Sequence, residues 1–276
     1  MEMNLFEMLK VMFLGIVEGI TEWLPISSTG HMLLVDEFMP LQMTEEFKEM
    51  FFVVIQLGAI LAVVVLFWHK MFPFQMQAGH PALRKDVCLV WAKVIVASIP
   101  AGVAGLLLDD FLEAHFGNAF TISLMLIVYG VAFLAVEWWN HRRAPKVSRL
   151  EEISFGTAFL IGAFQALSLI PGTSRSGATI VGALLIGVGR TAAAEFTFFL
   201  AVPAMVGASA YKLLKFGFDF TSAELATLFL GMAVAFAVSL LVIRFLMRYI
   251  QRHDFKVFGW YRIALGLVVL LVCALR

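Results

Sequence analysis

Six stretches of this sequence are apolar over about the length that a helix needs to cross the hydrocarbon core of a membrane, roughly 20 residues. The chain is 61% hydrophobic and only 14% charged, and a water-soluble domain of this size could not bury that much apolar surface. The sequence therefore predicts an all-α integral membrane protein with the lipid bilayer as its partner. The predicted spans are Met50–Trp68, Val94–Leu108, Phe116–Val136, Phe196–Tyr211, Leu225–Ile243 and Val257–Leu275, the last interrupted only by Arg262.

Two further apolar regions are broken near their centres by polar loops. Residues 11–35 contain Pro25 followed by the segment SSTG, and residues 153–189 contain PGTSRSG. Proline ends a helix and glycine opens a turn, so each region is expected to form two short helices joined by a loop. Non-helical backbone is tolerated at membrane depth only where protein or a water-filled cavity covers it. We therefore expect two re-entrant helical hairpins.

The two broken regions resemble each other. With one residue inserted after the proline, LPISSTGHM aligns with IPGTSRSGAT, and Gly15 and Glu18 match the spacing of Gly162 and Gln165. Each hairpin is followed by three spans, so the second half is expected to enter the membrane inverted relative to the first. The sequence thus predicts a single membrane domain, 1–276, built from pseudo-repeats 1–139 and 151–276.

The charges in the linkers predict an orientation. Linkers 69–90, 140–152 and 244–256 are basic, whereas 109–115 carries two aspartates and a glutamate. The positive-inside rule places the basic linkers in the cytoplasm and both termini outside. The zero formal net charge gives no indication of a nucleic-acid partner.

Acidic and basic side chains inside the broken regions are the candidate functional residues. Glu18 and Glu22 are four residues apart and therefore share one face of a helix. Two carboxylates at membrane depth are costly, which indicates that one is protonated or that a cation lies between them. With His31 and Arg175 they form a candidate polar cluster in an apolar protein. An alternative is that Arg175 pairs with Glu18 or Glu22 only to hold the two halves together.

Hydroxyl and glycine residues surround both loops. The N-terminus of a helix binds anions, because its first backbone N–H groups are unpaired. Arginine forms bidentate hydrogen bonds to phosphate oxygens. Ordinary N-capping by serine is the alternative for either loop alone. The candidate phosphate-binding residues are Ser27, Thr29, Gly30, Ser174, Arg175, Ser176, Gly177 and Thr179.

Three other polar or aromatic side chains lie in or beside the apolar runs. Gln56 and Gln165 are expected either to reach the site or to form ordinary hydrogen bonds between helices. Trp23 is expected to anchor the protein at a membrane interface.

The segments EGITEWLPISSTGH and PGTSRSGAT resemble the two signature motifs of the undecaprenyl-diphosphate phosphatases of the BacA or UppP type, and the likeness extends over essentially the full chain. The resemblance implies hydrolysis of the terminal phosphate of undecaprenyl diphosphate, which recycles the carrier lipid for cell-wall synthesis and confers bacitracin resistance. It also implies a polyprenyl diphosphate substrate, a divalent cation (Mg2+ or Ca2+), and a bacterial inner-membrane location with the site open to the periplasm. A homodimer is considered as the assembly.

The resemblance also implies roles for residues. Glu18 and Glu22 are expected to bind the cation or to serve the acid–base step, Ser28 and His31 to act at phosphorus, and Arg175 to hold phosphate. Direct attack by His31 supported by Glu22 is favoured, with attack by Ser28 or by a water activated by Glu22 as alternatives. The competing function is a lipid-phosphate flippase or transporter that uses the same anion site.

Overall fold

The computed structural model describes residues 4–77 and 80–275, which form twelve α-helices, two short strands and two single 3-10 turns. The helices are α1 (Leu5–Thr21), α2 (Ser28–Phe38), α3 (Glu45–Val54), α4 (Gln56–Leu66), α5 (Trp68–Met71), α6 (Lys85–Phe116), α7 (Ala119–Asn140), α8 (Phe155–Ala166), α9 (Arg175–Ile186), α10 (Arg190–Phe216), α11 (Ser222–Ile250) and α12 (Lys256–Leu275). The 3-10 turns are Leu150–Glu152 and Leu167–Leu169.

Five helical segments of the described chain are long and apolar enough to cross a membrane. Their outer surfaces carry large apolar side chains that water would not tolerate in such numbers; Leu106 is 81% exposed and Leu241 is 67% exposed. The prediction of a helical membrane protein is thus confirmed. The sixth predicted span, Val257–Leu275, lies within α12. The five segments are Glu45–Leu66, Lys85–Leu108, Ala119–Asn140, Arg190–Phe216 and Ser222–Ile250.

One linker contains strands that the all-α prediction did not include. Phe74–Gln77 (β1) pairs antiparallel with His80–Leu83 (β2), with Phe74 opposite Leu83. The segment FQMQ alternates apolar and polar side chains, which is the period of a strand. The predicted orientation also used the acidic linker 109–115. The side chains of its three acidic residues lie outside the described part of the structure.

Each broken region forms two helices joined by a loop, as the prolines and glycines predict. The first loop lies between α1 and α2, and the second lies between the 3-10 turn Leu167–Leu169 and α9. The following helices begin in the same way, because Ser27 and Ser174 are their N-caps and accept hydrogen bonds from the N–H groups of Gly30 and Gly177. These pairs are the ones that the sequence alignment places together.

Both N-cap serines have a backbone conformation that L-residues rarely adopt. The φ angles of Ser27 and Ser174 are 76° and 72°, and they are the only positive φ values among the described residues other than glycine. Such strain costs of order 1–3 kcal/mol per residue and persists only where the surroundings enforce it. The two loops are therefore held by contacts from the rest of the protein.

The helices that precede the two loops pack against helices of the opposite half of the chain. Helix α1 packs on α11, and α8 packs on α6. Close approach requires glycine at both contacts: a Cβ added at Gly15 would lie 2.9 Å from the Gly231 carbonyl oxygen, and one at Gly162 would lie 2.0 Å from the Ala97 carbonyl oxygen. This crosswise packing brings the two polar loops toward each other.

A substitution at the α6–α8 contact tests this packing. We expect Gly162→Ala to destabilise the protein by about 1–3 kcal/mol, because the added methyl group collides with backbone that cannot move aside. Gly102→Ala is the matched control on α6, since a Cβ there meets no atom within 4 Å, and it should be neutral or stabilising by up to about 1 kcal/mol. Thermal unfolding in detergent measures both. Equal midpoints for the two variants would contradict the packing.

Candidate active site

The two polar loops border one cavity of about 110 Å3. Both loops contribute polar side chains and backbone to its wall, and Gln56 reaches it from α4. Of the two positions expected for Gln56, the structure thus places it at the cavity wall. The lining residues are Glu22, Ser27, Ser28, Thr29, Gln56, Ser168, Pro171, Gly172, Ser174 and Arg175.

Glu22 is the polar centre of this cavity. Its carboxylate accepts a hydrogen bond from the Ser28 hydroxyl at 2.5 Å and one from the Arg175 guanidinium at 3.1 Å. The side chain of Glu22 is 6% exposed and that of Arg175 is 13% exposed. The expected pairing of Arg175 with a glutamate is therefore present, and it joins residues from opposite halves of the chain.

Further bonds attach the start of α9 to Glu22. The Ser176 hydroxyl donates to the Glu22 carbonyl oxygen at 3.2 Å, and the Arg175 Nη1 donates to the Thr197 carbonyl oxygen at 2.9 Å. The Nε of Arg175 is buried and has no partner among the described residues. Arg175 is thus fixed at two nitrogens and retains an unused donor.

Glu18 lies one helical turn before Glu22 and is 1% exposed. Neither of its carboxylate oxygens has a hydrogen-bond partner among the described residues. An uncompensated buried carboxylate is costly, so Glu18 is either protonated or compensated by a cation, the two alternatives expected from the sequence. No group of three or more His, Cys, Asp or Glu residues suited to a metal occurs in the described chain. Two carboxylates nevertheless fit Mg2+, which commonly takes one or two carboxylates together with substrate phosphate oxygens.

The N-termini of α2 and α9 meet at the same cavity. The backbone N–H groups of Ser28, Thr29, Arg175 and Ser176 have no hydrogen-bond partner in the part of the chain that the structure describes. Unpaired N–H groups and the helix dipole give each terminus a partial positive charge. Two such termini with Arg175 make the cavity suited to an anion.

His31 lies beside the first loop and contacts Ser27 and Tyr261. Its Nδ1 is 2.7 Å from the Ser27 carbonyl oxygen, and its Nε2 is 2.7 Å from the Tyr261 hydroxyl, with the two rings stacked at 5.7 Å. Because a carbonyl only accepts, Nδ1 carries a proton and donates it. The structure does not bring His31 into contact with Glu22, the pairing favoured from the sequence.

A buried arginine that the sequence showed only as an interruption of the last span holds both loops. Arg262 is 0% exposed, and its guanidinium donates to the carbonyl oxygens of Pro25 at 3.1 Å, Gly172 at 2.8 Å and Thr173 at 2.9 Å. One side chain of α12 therefore connects the backbones of the first and second loops. Its neighbour Tyr261 contacts His31.

Comparison with known proteins identifies the relatives of this chain. The sequence profile of a family described as "Bacitracin resistance protein BacA" matches residues 11–268. The chain belongs to the BacA family.

Three BacA-family relatives carry the name undecaprenyl-diphosphatase. The protein from Enterococcus faecalis is 67% identical over 276 residues, 100% of both chains. The one from Desulfitobacterium hafniense is 59% identical over 99% of both chains. One from Streptococcus thermophilus is 52% identical over 99% of this chain and 95% of its own.

In this BacA-family chain, about half of the residues predicted for the site line the cavity directly, and the others shape the loops or lie behind them. The hydroxyl of Thr179 donates to the Arg175 carbonyl oxygen at 2.9 Å and accepts from Thr197 at 2.9 Å, so it supports α9 from within. The predicted residues outside the described lining of the cavity are Glu18, Gly30, His31, Ser176, Gly177 and Thr179.

Trp23 is not an interface anchor, and the prediction for it was wrong. It is 0% exposed and packs edge-to-face on Phe198, with ring centroids 5.3 Å apart. The segment that carries Trp23 is covered by the rest of the protein, because Glu22, Pro25 and Ile26 are buried as well.

Replacement of Arg262 tests its role in holding the loops. We expect Arg262→Met to lower the free energy of unfolding by several kcal/mol, because each buried carbonyl left without a donor costs about 1–3 kcal/mol. Arg262→Lys should recover part of the loss, since an ammonium group reaches fewer of the three carbonyls. Thermal unfolding in detergent provides the measurement. Stability of Arg262→Met equal to that of the unmodified protein would show that the loops do not depend on this residue.

Proposed function

We propose that this chain hydrolyses undecaprenyl diphosphate to undecaprenyl phosphate and inorganic phosphate. The relatives that cover its full length are named for this reaction, and the family description refers to bacitracin resistance. The reaction would recycle the carrier lipid for cell-wall synthesis.

The observation that carries this proposal is the position of Glu22 between Ser28 and Arg175. A cavity that only bound an anion would need positive groups alone, whereas here a carboxylate accepts the proton of a hydroxyl at the same point. In this proposal Ser28 is the nucleophile, Glu22 is the base and the Arg175 guanidinium binds phosphate, and the three groups lie in one place. An apolar protein surrounds them, which suits a lipid-linked substrate.

The geometry favours Ser28 as the attacking group over His31. Ser28 lines the cavity and already donates its proton to Glu22, whereas both nitrogens of His31 are engaged elsewhere. In this mechanism the Ser28 oxygen bonds to the terminal phosphorus, and the bond to the bridging oxygen breaks. Glu22 takes the hydroxyl proton and passes it to the departing lipid phosphate. Water then attacks the phosphorus of the phosphoserine while Glu22 takes its proton, and the bond from phosphorus to the Ser28 oxygen breaks. Glu22 returns the proton to the Ser28 oxygen, and inorganic phosphate leaves.

Charge on the transferred phosphoryl group would be stabilised by groups already in place. Arg175 and the free N–H groups at the starts of α2 and α9 face the cavity, and such preorganised donors need no rearrangement during the reaction. We propose that Glu18 and Glu22 hold a divalent cation, Mg2+ or Ca2+. When bound, that cation would neutralise diphosphate charge.

We also propose six spans with two re-entrant hairpins as an inverted repeat of residues 1–139 and 151–276. The matching N-caps Ser27 and Ser174 and the crosswise packing of α1 on α11 and α8 on α6 support it. The basic linkers then lie in the cytoplasm of a bacterium, and the site opens to the periplasm from the inner membrane.

Phosphate release from undecaprenyl diphosphate by purified protein in detergent tests the function. We expect metal-dependent release that a chelator abolishes. Arg175→Lys should lower kcat by about 10²–10³, the effect of removing one transition-state donor, and Ser28→Ala should lower it further. Glu46→Gln changes an exposed glutamate and should leave release unchanged.

Two outcomes would contradict the proposal. Absence of phosphate release by folded, metal-supplied protein would favour the lipid-phosphate transporter. Undiminished release by Ser28→Ala would exclude Ser28 as the nucleophile and return the role to His31 or water.

A further inference from the structure

A second cavity, of about 160 Å3, lies at the far end of α9 from the candidate active site. Arg175 begins α9 and Ile186 ends it, which separates the two cavities by ~16 Å along the helix axis. The end of α7, the linker that follows it, the end of α9 and the start of α10 enclose this second cavity. None of the residues proposed for phosphate hydrolysis lines it.

The wall of the second cavity carries uncompensated positive charge. Arg143, Lys146 and Arg190 line it together with one carboxylate, Glu137. That carboxylate is fully engaged, because it accepts from Arg190 Nε at 2.9 and 3.2 Å and from the Phe255 N–H at 3.0 Å. Arg143 and Lys146 have no carboxylate partner among the described residues.

The remaining contacts hold these two cations at the cavity. The Arg143 guanidinium lies 3.9 Å from the centroid of the Trp139 ring. The N–H of Lys146 donates to the Gly187 carbonyl oxygen at 2.8 Å, and its side chain lies over Gly187, whose φ is +98°. A larger residue at Gly187 would be strained and would press on this side chain. These contacts place the backbone of Lys146 and the first carbons of its side chain at the end of α9.

Aromatic and apolar side chains place the cavity at a membrane interface. Trp138 and Trp139 at the end of α7 are 76% and 51% exposed, and Leu185 beside the cavity is 50% exposed. Exposed tryptophans at the end of a span are typical of the headgroup level of a bilayer. A ligand in the cavity would therefore be continuous with the lipid phase.

From these features we propose that the second cavity binds the phosphate of an anionic phospholipid. The volume accommodates a phosphate group and leaves the acyl chains outside, along Leu185 and Trp139. Two unpaired cations match a headgroup with net negative charge better than a zwitterionic one, and basic pockets between helices at a membrane surface bind such headgroups. The occupant is a lipid rather than a soluble phosphate, because apolar surface borders the cavity on the membrane side.

Lipid retention by the delipidated, purified full chain tests this site. Native mass spectrometry counts bound phosphatidylglycerol or phosphatidylcholine, and Arg143→Gln/Lys146→Gln removes the two unpaired cations. Arg142→Gln/Arg252→Gln is the matched control, since both residues are exposed, basic and outside the cavity. We expect the first variant to bind phosphatidylglycerol at least about tenfold more weakly, because charge-assisted hydrogen bonds are lost. The control should retain unmodified affinity.

Three results would overturn the proposal. One is equal retention of phosphatidylglycerol by the two double variants, and a second is equal affinity of the unmodified protein for phosphatidylglycerol and phosphatidylcholine. The third is competition by glycerol 1-phosphate at the same concentration as the lipid, which would assign the cavity to soluble phosphates. Phosphate release from undecaprenyl diphosphate by the first double variant provides a check that it is folded.

Discussion

One buried guanidinium connects the two polar loops on which the candidate site is built. Arg262 donates to backbone carbonyls of both loops from a position with no exposure to solvent. Loop backbone inside an apolar protein must find such partners, because water is not there to supply them. The strained N-caps Ser27 and Ser174 are consistent with this support, since their φ values persist only where neighbours enforce them. The geometry of the cavity therefore depends on a residue outside both motifs.

The charged groups of the candidate site come from both halves of the chain, and neither half supplies all of them. The first loop brings the Glu22 carboxylate and, at the start of α2, the Ser28 hydroxyl. The second loop leads into Arg175, and the Glu22–Arg175 bond joins the two. Each partner lowers the cost of burying the other, and the two helix N-termini add positive potential without adding a side chain. Glu18, one helical turn before Glu22, has no hydrogen-bond donor among the described residues. The arrangement suits a diphosphate, whose charge an apolar protein could not otherwise accept.

Much of this architecture could be predicted from the sequence because charges and prolines are rare in membrane-length apolar runs. The two loops and the pairing of Ser27 with Ser174 follow from that contrast. A contact of Arg175 with Glu18 or Glu22 was expected only as an alternative, and the structure shows it with Glu22. The role of Arg262 did not follow, since its acceptors are backbone carbonyls and backbone carbonyls are present in every sequence. The contact of His31 with Tyr261, 230 positions later in the chain, and the burial of Trp23 depend equally on tertiary packing. Strand β1 alternates apolar and polar residues, but β2 does not, and each strand is only four residues long.

The central claim is that the two loops form one catalytic centre, and a double-mutant cycle on phosphate release from undecaprenyl diphosphate tests it most directly. Glu22→Asp and Arg175→Lys keep both charges, so each variant is expected to retain measurable kcat/KM. Because the two side chains contact each other across the loops, we expect the double variant to lose at least about fivefold less activity than the product of the two single losses, a coupling of about 1 kcal/mol. A loss equal to that product would show that the two loops act independently and would contradict the account.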